Sequence, residues 1–222
     1  MSAEDLTFDS SDGLTLEALL DAPEEPRAGL VLCHPHPKMG GTMNAPLLET
    51  VTERMTGEGW SVLRFNFRGI GKSQGMPTTG IDEVQDSKGG IALMRKRYAN
   101  LPLAIAGWSF GAAVAIRTAA EDDSLVACVA IAPAVKEKPG VTAGLPPPEE
   151  IDLGVPLLVI AAANDELVET EDCKTWVADI PHAEVAVVQG ANHFFWAKYD
   201  KLGDEVVAWL NGFIPTSVDE EA

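Results

Sequence analysis

Five consecutive residues, Gly107-Trp108-Ser109-Phe110-Gly111, constrain this chain's fold more than any other stretch. The apolar run Leu103-Ala104-Ile105-Ala106 precedes them, and the alanine-rich stretch Ala112-Ala113-Val114-Ala115-Ile116 follows. That order predicts a strand, a sharp turn and a helix. A serine at the tip of such a turn has a strained backbone, and the residues two before and two after it must be small enough to avoid a clash. The geometry is that of a nucleophile elbow. The hydroxyl projects beyond the strand, and the helix N-terminus turns its free N–H groups and positive dipole end toward the same place.

The rest of the chain alternates strands and helices. Residues 6–22 read as an edge hairpin around the turn Ser11-Asp12-Gly13, with Leu14, Leu16 and Ala18 on one face. Leu30 to Cys33 is a short run apolar on both sides, as expected of a strand buried on both faces, and Trp60 to Phe67, Leu125 to Ala132, Leu157 to Ala162 and Val185 to Val188 are the further expected strands. A helix is expected over 45–56, capped by Asn44, stopped near Gly57 and Gly59, and burying Leu47, Leu48, Val51 and Met55. Another starts near Asp82 with Val84, Ile91, Met94 and Tyr98 inward. A short one is capped by Thr170 and bears Trp176 and Ile180, and a last one carries Leu202, Val206, Leu210 and Phe213. The alternation predicts an α/β fold with a mostly parallel central sheet and helices on both faces. Residues 1–214 are expected to form one domain, and the acidic segment 215–222 a disordered tail. Residues 133–154 hold Pro133, Pro139, Pro146, Pro147 and Pro148. They read as an irregular excursion, too short for a multi-helix cap.

Charge and cysteine usage narrow the function classes. Asp and Glu number 34 against 16 Lys and Arg, a formal charge of −18, so nucleic acid and anionic membrane are not expected partners. No apolar stretch reaches the length of a membrane span. The odd count of cysteines, Cys33, Cys128 and Cys173, with two in apolar runs, points to reduced thiols and the cytoplasm. The opening residues, Met1-Ser2-Ala3-Glu4-Asp5, show neither the basic stretch nor the apolar core of an export signal.

In such sheets reactive side chains gather beyond the carboxyl ends of the strands. Four expected strand ends carry polar groups: His34-Pro35-His36, Ser109, Asp165 and His193. A serine hydroxyl needs a base to take its proton, and a histidine base needs a carboxylate to fix its tautomer. Ser109, Asp165 and His193 follow one another in the order an elbow fold requires. The tetrahedral intermediate also needs two pre-aimed backbone N–H groups. Phe110, next to the serine, supplies one. In the loop after Cys33, Pro35 and Pro37 have no N–H, which leaves His36 for the other. His182 reads as an exposed loop residue, and Glu166 as a carboxylate pointing away from the site. Asn66 and Arg68 read as residues that hold a loop by hydrogen bond or ion pair. The pair His34 and His36 invites a metal reading, but three or four ligands are needed and no further cluster is present, so no metal is expected.

These residues resemble the α/β-hydrolase superfamily, and within it small cap-less serine hydrolases near the dienelactone-hydrolase group. The matching pieces are His34-Pro35-His36-Pro37 with Gly40-Gly41-Thr42-Met43, Phe65-Asn66-Phe67-Arg68-Gly69 with Gly71 and Ser73, the elbow, Asn164-Asp165, and Asn192-His193-Phe194-Phe195. The resemblance implies an esterase-like hydrolase with Ser109, Asp165 and His193 as its triad. Dienelactone hydrolases proper use a cysteine nucleophile, so that activity is not carried over. The expected reaction is hydrolysis of a small-molecule ester of short to medium chain through an acyl-enzyme on Ser109, without a cofactor. Met43, Trp108, Phe194 and Phe195 are the expected pocket residues, with Trp196 nearby. Thioesterase, acyltransferase or peptidase chemistry on the same triad, or ligand binding without catalysis, are the alternatives.

Overall fold

The computed structural model describes residues 3–214. Its centre is an eight-stranded sheet built from β1 (Glu4–Asp9), β2 (Thr15–Asp21), β3 (Ala28–Cys33), β4 (Trp60–Phe65), β5 (Leu103–Trp108), β6 (Cys128–Ile131), β7 (Leu157–Ala162) and β8 (Ala183–Val188). They lie in the order β1-β2-β4-β3-β5-β6-β7-β8. β1 pairs with β2 and β2 with β4 antiparallel, and every other neighbour pair is parallel. The elbow strand β5 thus sits mid-sheet, paired on both sides.

The helices are α1 (Pro46–Gly57), α2 (Glu83–Arg97), α3 (Phe110–Ala119), α4 (Thr170–Ala178) and α5 (Tyr199–Leu210). Apolar side chains of α1 and α5 pack on one face of the sheet, and those of α2, α3 and α4 on the other. The strand side chains divide accordingly. Leu30, Leu32, Ala104, Ala106, Leu158 and Ile160 face the first layer. Val31, Cys33, Ile105, Val159 and Ala161 face the second. Both alternating sets must be apolar, so the central strands read as continuous apolar runs.

Several element ends differ from expectation. α1 begins at Pro46, whose missing N–H and fixed φ suit a first helical turn, and its N-cap is Ala45; Asn44 makes no cap. Thr170 is the first residue of α4 and not its cap, which is Glu169; the Thr170 hydroxyl donates to the Ala162 carbonyl at 2.7 Å and accepts from no helix N–H. β4 ends at Phe65 and β6 runs Cys128–Ile131, so both are shorter than expected. Ile180 lies past the end of α4, and Phe213 in a 3₁₀ turn past α5. Residues 133–154 hold one 3₁₀ turn, Pro148–Glu150, and no α-helix. The expected tail, 215–222, falls outside the described residues. The three cysteines are free and buried, and no described helix is long and apolar enough to cross a membrane.

Candidate active site

β5 delivers Ser109 to the top of the sheet. The backbone there has φ 56° and ψ −113°, far from any ordinary well for a residue with a side chain. Its surroundings hold it in place. The Ser109 N–H donates to the Ile131 carbonyl at 2.7 Å, and its own carbonyl accepts from Ala112 and Ala113 in α3. The two glycines are required by contact. A Cβ on Gly107 would sit 2.2 Å from the Gly111 carbonyl oxygen, and one on Gly111 would sit 2.3 Å from that of His34. The small residues let α3 come down close to β3 and β5.

β7 and β8 deliver the partners. Ser109 Oγ lies 3.0 Å from His193 Nε2 and can donate to it. His193 Nδ1 donates to Asp165 Oδ2 at 2.8 Å and approaches Oδ1 at 3.1 Å. The side chains of His193 and Asp165 are 5% and 2% exposed, so little water competes for this bond. Asp165 is itself held: its Oδ1 accepts from Leu167 N–H at 2.8 Å and Val168 N–H at 2.7 Å. A carboxylate on Nδ1 keeps the proton there and leaves the Nε2 lone pair facing the serine.

The N–H groups of Phe110 and His36 have no acceptor among the described residues. Their side chains bring the two segments together, the His36 ring standing edge-on to Phe110 with centroids 5.1 Å apart. The His36 Nε2–H donates to the Val141 carbonyl at 3.0 Å, while Nδ1 accepts from Lys38 N–H at 3.1 Å. His34 is fully buried. Its Nδ1–H donates to the Pro35 carbonyl at 2.6 Å, and its Nε2 accepts from Phe67 N–H at 3.0 Å. Burial drives its pKa down to about 4, against a raising effect of the Pro35 bond. Both rings spend both nitrogens on the backbone, so neither has a lone pair left for a metal. Among the described residues no three His, Cys, Asp or Glu side chains cluster as metal ligands.

Two clefts meet at Ser109 and His193, of about 360 and 400 Å³. The first is walled by residues 40–42 and 44–46 on one side and by Trp108 and Phe194 on the other. The second runs beneath residues 134–142 toward α4. His36, Met39 and Leu167 border both.

The chain as a whole is similar to known proteins in sequence and in fold. The sequence pattern of the serine aminopeptidase family, S33, matches residues 24–151. An α/β serine hydrolase homologue from Coxiella burnetii is 32% identical, with a TM-score of 0.82 over 95% of this chain and 98% of that one. The chain belongs to the α/β-hydrolase superfamily, in that serine hydrolase family. A serine hydrolase without a lid from Xanthomonas campestris is 25% identical, with a TM-score of 0.83 over 98% of this chain and 97% of that one. An uncharacterized protein of Rickettsia prowazekii is 29% identical over 198 residues, covering 85% of this chain and 80% of its own length.

In this hydrolase the expected pocket residues separate into two pairs. Trp108 and Phe194 line the first cleft. Trp108 also donates its indole N–H to the His193 carbonyl at 3.2 Å, holding the loop that carries the histidine. Met43 and Phe195 do not line either cleft. Met43 is 7% exposed, its backbone held by Asn66 and Arg64, and Phe195 is fully buried where positive φ values, 52° at Phe195 and 59° at Ala197, turn the chain after Phe194. Trp196 is exposed and stacks on Phe194 at 5.1 Å. Glu166 does not point away: its Oε2 accepts from the His193 N–H at 3.3 Å. His182 is exposed, and Asn66 and Arg68 hold loops. Met39 and Leu167, large apolar residues that remain 67% and 38% exposed, border both clefts and were not among the expected pocket residues. Their only sequence signal is adjacency to His36 and Asp165.

Proposed function

We propose that the protein is a carboxylesterase-type serine hydrolase. The observation that carries this reading is the chain of contacts from Ser109 Oγ through His193 to the twice-held Asp165 carboxylate, at a serine whose backbone is forced outward. In the reaction, Ser109 Oγ attacks the ester carbonyl carbon as His193 Nε2 takes its proton. The carbonyl oxygen becomes an oxyanion against the N–H groups of Phe110 and His36. The C–O bond to the alcohol breaks, and the alcohol leaves with the proton from His193. Water then repeats the attack on the acyl-enzyme, again through His193, and releases the acid and Ser109. The oxyanion donors supply the largest single electrostatic term, and their freedom from other acceptors suits that role.

The clefts support small to medium substrates, with room on both sides of the scissile bond. The apolar wall of Trp108, Phe194 and Pro46 suits an acyl chain or an aromatic group. The family name favours a second reading, cleavage of an amide, since the same atoms could serve it. A panel of p-nitrophenyl esters, the matching thioesters and aminoacyl anilides separates these readings. The account predicts turnover of short-chain esters well above anilides. It also predicts a fall of roughly 10⁴-fold or more in Ser109→Ala. Unchanged turnover in that variant contradicts the assignment.

A further inference from the structure

Two side chains of the β4 end grip one residue of the loop that carries His36. Asn66 Oδ1 accepts from the Met43 N–H at 2.8 Å, and Arg64 Nη1 donates to the Met43 carbonyl at 3.1 Å. Each is backed by a carboxylate of β2. Asn66 Nδ2 donates to Glu17 Oε1 at 2.7 Å, and Arg64 Nη2 donates to Asp21 Oδ2 at 2.9 Å. Asn66 is also tied through its backbone, its N–H to the Glu17 carbonyl at 3.0 Å and its carbonyl to the Ser73 hydroxyl at 2.7 Å. The grip reaches His36 through a compact turn. The Gly41 N–H donates to the His36 carbonyl at 3.1 Å, and a Cβ on Gly41 would lie 2.1 Å from the Pro35 oxygen. Residues 40–42 and 44–46, on either side of Met43, wall the first cleft.

Stability alone does not account for this arrangement. Arg64 is 6% exposed, and a buried ion pair adds little to folding that a well-packed apolar residue would not. Its Nε is buried without a hydrogen-bond partner among the described residues, a cost accepted in order to place the other two nitrogens.

We propose that Arg64 and Asn66 are positioning residues for the reaction at Ser109. By holding both ends of Met43 they fix the cleft wall and the His36 N–H relative to the nucleophile. This inference rests on the esterase reading, because the oxyanion is what the His36 N–H serves.

The test compares Arg64→Met, Arg64→Lys and Asn66→Ser with the wild-type chain. It reads kcat and KM on p-nitrophenyl butyrate, amide hydrogen exchange over residues 36–46, and urea unfolding. Displacing an oxyanion donor should lower kcat by about 10- to 100-fold with KM nearly unchanged. Exchange at Met43 should quicken, and Arg64→Lys should recover part of what Arg64→Met loses. A folded Arg64→Met with wild-type kcat, or with a change in KM alone, overturns the proposal, as does unaltered exchange at Met43. If Asn66→Ser does not fold, Arg64→Met decides, since it keeps the apolar stem. Quickened exchange in a protein whose wild type turns over no ester would instead contradict the esterase reading.

Discussion

At the scale of single residues, Ser109 stands in a backbone conformation that costs about 1–3 kcal/mol, and that strain exposes the hydroxyl to His193. His34 shows the opposite treatment of an ionisable group, sealed in the core as the neutral form. The unfolded chain takes up a proton on this ring at the ordinary value of 6.5, the folded protein only at about 4. Between those values the unfolded state binds more protons, so stability is full above about pH 6.5 and is lost as pH falls toward 4. The loss attributable to His34 over that window is on the order of 3 kcal/mol. Urea unfolding near pH 7.5 and near pH 5 checks it: His34→Gln should lose less stability between the two than wild type. Equal losses would mean that the His34 ring titrates normally in the fold.

At the scale of elements, the elbow depends on strand and helix meeting almost without side chains. Ala at Gly111 would press on the carbonyls of both Cys33 and His34, neither of which can move without disturbing β3. Gly111→Ala should therefore destabilise by about 3 kcal/mol or more, measured by thermal unfolding. Gly57→Ala, where none of the described residues lies within 4 Å of the added carbon, should leave the midpoint nearly unchanged. The same contacts explain what could be read in advance. Strands buried on both faces show as unbroken apolar runs, and the elbow shows through its glycines. Helix starts are less legible: Asn44 looks like a cap, but the proline at Pro46 starts α1 one residue later and puts Ala45 at the cap position, and Thr170 falls one residue inside α4 with its hydroxyl on the Ala162 carbonyl. Met43 and Phe195 were misplaced for a related reason. Proximity along the chain puts them beside the site, whereas backbone hydrogen bonds at Met43 and a positive φ at Phe195 carry their side chains elsewhere.

At the scale of the whole molecule, the sheet gathers Ser109, Asp165 and His193 beyond the ends of three parallel strands, and the proline-rich excursion walls the second cleft beside the serine. Lys136 pairs with Asp172 at 2.7 Å, and Lys138 donates to the Leu167 carbonyl at 2.9 Å, tying the excursion to the segment that holds Asp165. The alternation of elements made this architecture legible in the sequence, but contacts between distant loops leave no such mark. The surplus of acidic residues, a formal charge of −18, sets a global repulsion against which exposed ion pairs weigh little. Raising salt from about 10 mM to about 500 mM shortens the Debye length from roughly 30 Å to a few ångströms. The unfolding midpoint should rise over that range, and a fall would mean that the ion pairs outweigh the repulsion. The central claim, that His193 and Asp165 make Ser109 a nucleophile, is tested most directly by peptide mass mapping after treatment with a fluorophosphonate. The account predicts one adduct, on Ser109, formed by folded wild-type protein and lost in His193→Ala. No adduct, or one on another residue, would contradict it.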